Sequence, residues 1–215
     1  MSSSLEGNPF TISRQRMVET QLRARGISDE RVLDAMMRVP RHEFAPERYR
    51  DQAYEDHPLP IGEGQTISQP YIVARMLEAL SLSPSDRVLE VGTGSGYLTA
   101  LLAELAAQVV SVERHATLAN AARELLSRMG YNNVRVLVGD GSQGYAANAP
   151  YDAIIVSAAA ADVPRALLQQ LTEGGRMIIP VGMADSQQLQ LIRKVGGQAR
   201  TSFHELCRFV PLVAG

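Results

Sequence analysis

The chain has 215 residues, 45% of them apolar and 20% charged, a balance that suits one well-packed globular domain and excludes a disordered or fibrous chain. A net charge of -2 leaves no electrostatic footprint for nucleic acid or an anionic membrane, and a single cysteine, Cys207, excludes an intrachain disulfide and a cysteine-cluster metal site. Residues 1–6 carry neither a basic region nor an apolar run, and no stretch approaches membrane-spanning length, so a cytoplasmic monomer with no membrane or nucleic-acid partner is expected.

Residues 1–10 read as a loose tail broken at Gly7-Asn8-Pro9. From Thr11 to about Arg25, Met17, Val18 and Leu22 share one helical face, and Gly26 ends the helix. Ser28 or Asp29 caps a second helix carrying Val32, Leu33, Met36 and Met37, which Pro40 stops. Residues 41–60 are mixed and polar, with Phe44, Tyr49 and Tyr54 as anchors for short turns and one irregular helix. Residues 61–70 form a loop loosened by Gly62 and Gly64, followed by a helix with Ile72, Val73, Met76, Leu77 and Leu80 on its inner face. Ser68 stands two residues before Pro70 and reads as that helix's N-cap. A loop ending at a helix N-terminus also presents free N–H groups to an anion, so a second role stays open. Residues 1–80 thus read as a helical cap and loop packed on a main domain of residues 81–215, the whole forming one compact unit.

The main domain opens on an apolar strand, Val88, Leu89 and Val91, interrupted by Glu90. Gly92, Gly94 and Gly96 follow at spacing two, and Leu98, Leu101, Leu102 and Leu105 then recur at helical spacing. A glycine turn between a parallel strand and a helix lets a ligand approach the backbone at the positive end of the helix dipole. The pattern E-x-G-x-G-x-G brings the third glycine one residue earlier than the dinucleotide pattern G-x-G-x-x-G does. Residues 109–113 form a second strand ending in Glu113, about twenty residues beyond Gly92, where folds of this kind place a ribose-binding acid. The other reading of Glu113 is a solvated acid at a strand end. A helix with Leu118, Ala121, Ala122, Leu125 and Leu126 inward ends at Gly130, and residues 134–138 form a third strand. Gly139-Asp140-Gly141 is either a plain turn or a site where Asp140 accepts a hydrogen bond from an amine such as adenine N6. A fourth strand spans 152–157, a short helix from Asp162 and Pro164 is closed by Gly174-Gly175, and a fifth strand spans 176–181. Two final strands, 189–193 and about 202–210, flank the turn Val195-Gly196-Gly197-Gln198 with no helix between them. The fold class is α/β, a doubly wound, mostly parallel seven-stranded sheet with an antiparallel edge and an N-terminal helical cap.

Residues 88–97 resemble the first motif of S-adenosylmethionine-dependent methyltransferases. Pro60-Ile61-Gly62-Glu63-Gly64-Gln65-Thr66-Ile67-Ser68-Gln69-Pro70-Tyr71 is close to the signature of the protein-L-isoaspartate O-methyltransferase family. Gly139-Asp140-Gly141, Tyr151-Asp152-Ala153-Ile154-Ile155-Val156 and Arg208-Phe209-Val210-Pro211-Leu212-Val213 extend the likeness, and Arg23-Ala24-Arg25-Gly26-Ile27 with Val39-Pro40-Arg41 fits the family's N-terminal part. The first motif is shared by most methyltransferases; the stretch from Gln65 to Pro70 carries the narrower assignment.

The resemblance implies a Rossmann-like methyltransferase fold and metal-free methyl transfer from S-adenosylmethionine to the free α-carboxylate of L-isoaspartyl residues in damaged proteins and peptides. It implies a cofactor site of Thr66, Ile67, Glu90, Gly92, Gly94, Gly96, Glu113, Arg114, Asp140 and Gly141. Ser68 then hydrogen-bonds the acceptor and is no nucleophile. A carboxylate is already ionised at neutral pH and needs no general base. The chain departs from the family pattern at Ser142, where relatives often carry a bulky residue, and in the proline-free loop Ala158-Ala159-Ala160-Ala161-Asp162, both expected at the rim of the site. His57 either lines the entrance or is a surface residue. Residues 208–213 offer an edge for strand-like pairing with a peptide, limited by Pro211. A methyltransferase for RNA or a small molecule, a nicotinamide-dependent dehydrogenase and a non-catalytic cofactor-binding regulator are the alternatives. The near-neutral charge opposes RNA, the Gln65 to Pro70 stretch opposes both RNA and small-molecule acceptors, and the early third glycine and terminal hairpin oppose the dehydrogenase.

Overall fold

The computed structural model describes residues 8–183 and 186–213; of the tail expected at residues 1–10, residues 1–7 lie outside them. Helix α1 (Pro9–Arg16) begins two residues before the expected start, because the Asn8 side chain accepts the Phe10 N–H at 3.0 Å. The helical path continues through a π-helical stretch (Met17–Leu22) and a 3-10 turn (Arg23–Arg25), and ends where Gly26 turns left-handed. Asp29, not Ser28, caps α2 (Glu30–Arg38) by accepting the Arg31 N–H at 2.9 Å. Two 3-10 segments (Arg41–Phe44 and Glu47–Gln52) account for the irregular stretch that follows.

Residues 59–67 are not a loop. They form an antiparallel hairpin, β1 (Leu59–Gly62) and β2 (Gln65–Ile67), which makes a two-stranded sheet of its own. Gly62 and Gly64 supply the positive φ values that its tight turn requires. Helix α3 (Pro70–Leu80) leads from it to the main domain.

There β3 (Arg87–Val91), α4 (Tyr97–Leu105), β4 (Gln108–Glu113), α5 (Ala116–Arg128), β5 (Val134–Val138), β6 (Tyr151–Val156), α6 (Arg165–Gln169), β7 (Leu171–Met183), β8 (Ser186–Val195) and β9 (Gln198–Cys207) follow in order. The seven-stranded sheet has the order β5-β4-β3-β6-β7-β8-β9, parallel as far as β7 and antiparallel from there to the edge. This is the expected doubly wound architecture.

Helices cover both faces of the central strands, which explains their unbroken apolar runs. Successive residues of β3 and β6 point into different cores. Val88, Ala153 and Ile155 join α2, α3, α4 and α5 on one face, while Leu89, Val91, Ile154 and Val156 meet α6 on the other. The N-terminal helices share the first of these cores, so their apolar faces are buried against the same sheet.

Details within the main domain differ from the expected ones. Strand β7 starts at Leu171, so Gly174 and Gly175 lie inside a strand rather than closing a helix; its pairing with β6 is irregular between Tyr151 and Ala153. On α5 the inward stripe uses Ala119 with Leu118, Ala122 and Leu126, and Ala121 faces solvent. Strand β9 ends at Cys207, so residues 208–213 leave the sheet edge.

Gly96 packs α4 against α5. It has φ 89, and a Cβ there would stand 3.2 Å from Ala122 Cβ and 3.3 Å from Leu126 Cδ1. Gly26 has a similar φ of 93 with nothing within 4 Å. Gly26→Ala should therefore cost only the backbone penalty, about 1 kcal/mol, and Gly96→Ala about 2–3 kcal/mol, because crowding adds to it. Urea unfolding of both variants checks this; equal losses would remove the packing role of Gly96.

Candidate active site

In an open α/β sheet, ligands bind beyond the carboxyl ends of the strands where the strand order reverses. That point is the end of β3, whose neighbours β4 and β6 lie on opposite sides. A cavity of about 790 Å³ opens there, a size usual for small-molecule sites. Its floor is residues 91–95 with Tyr97 and Leu98, and its sides are residues 112–115, Gly141, Ser157 and Ala158. Glu63, residues 65–69 and the α3 residues Ile72, Val73 and Met76 roof it, and residues 206–213 close the remaining wall.

The three glycines of the turn are used differently. Gly92 and Gly94 line the cavity with φ 93 and 54. Side chains there would stand 3.4 Å from Ser157 Cβ and 3.3 Å from Ile61 Cδ1 respectively. Gly96 does not line the cavity and serves helix packing. Glu113 ends β4 beside them. One carboxylate oxygen accepts the Gly94 N–H at 2.9 Å and the other accepts the His115 N–H at 2.9 Å. A carboxylate offers about four acceptor sites, so a hydroxyl donor in the cavity can still bind it.

Glu90 is a correction to the expected set. It is 0% exposed and lies beneath the turn, outside the cavity wall, where its carboxylate accepts the Thr99 hydroxyl at 2.6 Å. Burial pushes its pKa up to about 8, against the opposing hydrogen bonds of Ser111 and Thr99, and the nearby Glu113 adds to the rise. Glu90 is therefore mostly protonated at neutral pH and supports the turn from below.

Gly141 lines the cavity; an added Cβ would overlap Val91 Cγ1, so the backbone approach needs glycine. Asp140 is not part of the wall: its carboxylate caps the following 3-10 turn (Gly141–Gln143) by accepting the Ser142 N–H at 2.9 Å. Arg114 lines the cavity and donates to the Val213 carbonyl at 3.2 Å. Thr66, exposed, and Ile67, buried, both face the cavity from β2.

Ser68 lines the cavity too, but it does not cap α3. The N-cap residue is Gln69, whose side chain makes no capping bond. The cap comes from Asp56, which accepts the Tyr71 N–H at 3.0 Å and the Gln69 side-chain amide at 2.7 Å and is also paired with Arg25. The Ser68 carbonyl accepts from Arg41 at 3.0 Å, while its hydroxyl makes no hydrogen bond among the described residues.

Arg41 was visible in the sequence only as part of a family likeness. Its guanidinium is wholly buried, donates also to the Ala53 carbonyl at 2.7 Å and lies 4.9 Å from the centre of the Tyr97 ring. Asp56 had no sequence signal at all, since a cap from fifteen residues upstream leaves no local pattern.

Ser142 is buried below the rim, whereas Ala158 is on it. His57 is outside the wall, with its ring nitrogens on the Pro58 carbonyl and the Glu55 carboxylate. One side of residues 208–213 is taken up within the chain: Ala159 donates to the Val210 carbonyl and accepts from the Leu212 N–H. Buried Gln187 holds Phe209 through both its side-chain atoms. Among the described residues no helix is long and apolar enough to cross a membrane, and no three His, Cys, Asp or Glu side chains cluster as metal ligands.

A family model described as Protein-L-isoaspartate(D-aspartate) O-methyltransferase (PCMT) matches residues 13–215. The chain belongs to this family. A protein-L-isoaspartate O-methyltransferase of Koribacter versatilis is 57% identical over 213 residues, covering 99% of this chain and 96% of that protein. Two solved members of the family share the fold. One, a protein-L-isoaspartate O-methyltransferase, superposes with a TM-score of 0.85 at 31% identity, over 94% of this chain and 66% of its own length. The other is a beta-aspartate methyltransferase from Plasmodium falciparum in complex with S-adenosyl-L-homocysteine, with a TM-score of 0.81 at 30% identity, over 93% of this chain and 98% of its own.

The buried Glu90 makes stability depend on pH. Its folded pKa of about 8 lies above the 4.5 of a free glutamate, so the folded state holds the proton through that window and loses stability as pH rises through it. Glu90→Gln removes this titration. Its unfolding free energy relative to the parent should improve by a few kcal/mol between pH 5 and pH 8, at roughly 1.4 kcal/mol for each pH unit. Denaturant unfolding across that range checks it, and parallel curves would show that Glu90 is ionised in the fold.

Proposed function

We infer that the chain transfers the methyl group of S-adenosylmethionine to the free α-carboxylate of L-isoaspartyl residues in proteins and peptides. The observation that carries this is one cavity with a glycine-turn floor and, in its roof, a serine hydroxyl freed from capping. The residues fit the cofactor. Gly92 and Gly94 leave the floor open to a flat or extended ligand, and Glu113 can accept from the ribose hydroxyls beside them. Thr66 and Ile67 cover it, Arg114 and Gly141 border it, and Asp140 shapes the turn from which Gly141 approaches.

S-adenosylmethionine, when bound, supplies a methyl group on an already activated sulfonium. The protein's work is then placement. Ser68 donates to the acceptor carboxylate and fixes its approach; Arg41 and Asp56 fix Ser68. Burial pushes the Cys207 thiol up to about 11, which keeps it protonated and unreactive in the cavity wall. The acceptor is ionised without help. Orientation of the two reactants can supply up to about 7–11 kcal/mol of the barrier in favourable cases. The methyl ester leaves the site and closes spontaneously to a succinimide as the following backbone nitrogen attacks the ester carbonyl and methanol departs; hydrolysis of the ring returns some normal aspartate. The remaining features fit a cytoplasmic monomer that acts on protein and peptide substrates and not on nucleic acid. In it, residues 1–80 serve as cap and substrate loop to a cofactor domain of residues 81–215.

The test is incubation with methyl-labelled cofactor and matched aspartyl and isoaspartyl peptides. Base-labile label on the isoaspartyl peptide alone is expected, and label on neither removes the reading. Ser68→Ala should lower kcat/KM about ten- to a hundredfold, the range for losing a hydrogen bond to a charged group, while leaving cofactor affinity by calorimetry near the parent value. Glu113→Ala should instead weaken cofactor affinity by a similar factor. Unchanged affinity would sink the ribose assignment.

A further inference from the structure

The β1–β2 hairpin has no backbone pairing with the main sheet, so side-chain contacts hold its tip. That tip is left-handed at three consecutive residues, Gly62 with φ 101, Glu63 with φ 51 and Gly64 with φ 68. The conformation is disfavoured for a residue with a Cβ. The Glu63 side chain is nevertheless in use. One carboxylate oxygen accepts the Thr117 hydroxyl at 2.7 Å, and the other lies 3.7 Å from His115 Nδ1.

These partners begin α5. The first turn of that helix has no acidic residue and its N-cap makes no side-chain bond. Glu63 therefore adds from another element, beside Glu113 on the His115 N–H, a second negative charge at the positive end of the helix dipole. Below the tip, Ile61 stands 3.3 Å from where a Cβ on Gly94 would lie, so the hairpin rests on the glycine turn. The far end of the same roof is fixed by Arg41 and Asp56.

We propose that Glu63 is a positioning residue that latches the hairpin to α5 across the cofactor cleft. This rests on reading the cavity as the S-adenosylmethionine site. Glu63 acts through Thr66 and Ile67: while its carboxylate is docked on α5, those residues stay over the ligand and slow its departure. When the bond breaks, the packing of Ile61 on the glycine turn remains.

Release of S-adenosyl-L-homocysteine from the full chain, followed by surface plasmon resonance, tests the latch. Thr117→Val and Glu63→Ala should each speed release roughly three- to tenfold, the effect of one partly exposed charged hydrogen bond. The double variant should be no faster than the quicker single one. Glu63→Gly separates the latch from folding: it relieves the left-handed strain, so the ligand-free chain should melt no lower than the parent yet release ligand as fast as Glu63→Ala. Unaltered release in Glu63→Gly and Thr117→Val overturns the latch, as do independent, multiplying effects in the double variant. Absence of binding by the parent itself removes the cofactor reading and the latch with it.

Discussion

The Glu113 carboxylate accepts backbone N–H groups from Gly94, in the turn after β3, and from His115, at the entry to α5. These two hydrogen bonds from one side chain to two loops set the geometry of the cleft floor. They bring the ends of β3 and β4 to a fixed separation and place a negative charge where two helices begin. A glutamine of the same shape would present an amide N–H to one of these donors. The floor also depends on what lies beneath it: the protonated, hydrogen-bonded Glu90 fills the space under the turn without placing a second charge next to Glu113.

The roof is built on a different principle. Ser68 owes its position to groups from distant parts of the chain, Arg41 through its carbonyl and Asp56 through the residues after it. A wholly buried guanidinium is destabilising unless its donors are used. Arg41 donates through Nε and one Nη to two carbonyls and stands over the Tyr97 ring, while its other Nη is buried with no partner among the described residues. Because those carbonyls belong to the chain segments leading into the roof, the N-terminal region is part of how the site is assembled.

Most of the sheet was legible in the sequence. Parallel strands covered on both faces are written as short apolar runs, so β3, β4 and β6 stand out, and the absence of a helix between the last two strands marks the antiparallel edge. The β1–β2 hairpin was not legible: Pro60, Gly62 and Gly64 break its pattern and only Leu59 and Ile67 are buried. The start of β7 was hidden by Gly174 and Gly175, which read as a helix terminus although here they sit in an irregular strand. The exit of residues 208–213 from the edge depends on Ala159 and Gln187, neither of which is near them in sequence.

By itself the sequence determined the fold class, the glycine turn and the acid that ends β4, because each is fixed by interactions within a few residues or by a repeating burial pattern. The spacing of Gly92, Gly94 and Gly96 needed no partner to be read as a turn open to a ligand. Only the tertiary structure decided that Gly96 serves packing, that Glu90 lies under the site rather than in it, and that Asp56 caps α3 in place of Ser68. The reason is the same in each case. Which of several capable groups makes a contact depends on which element arrives beside it, and that is settled when the layers pack, not along the chain.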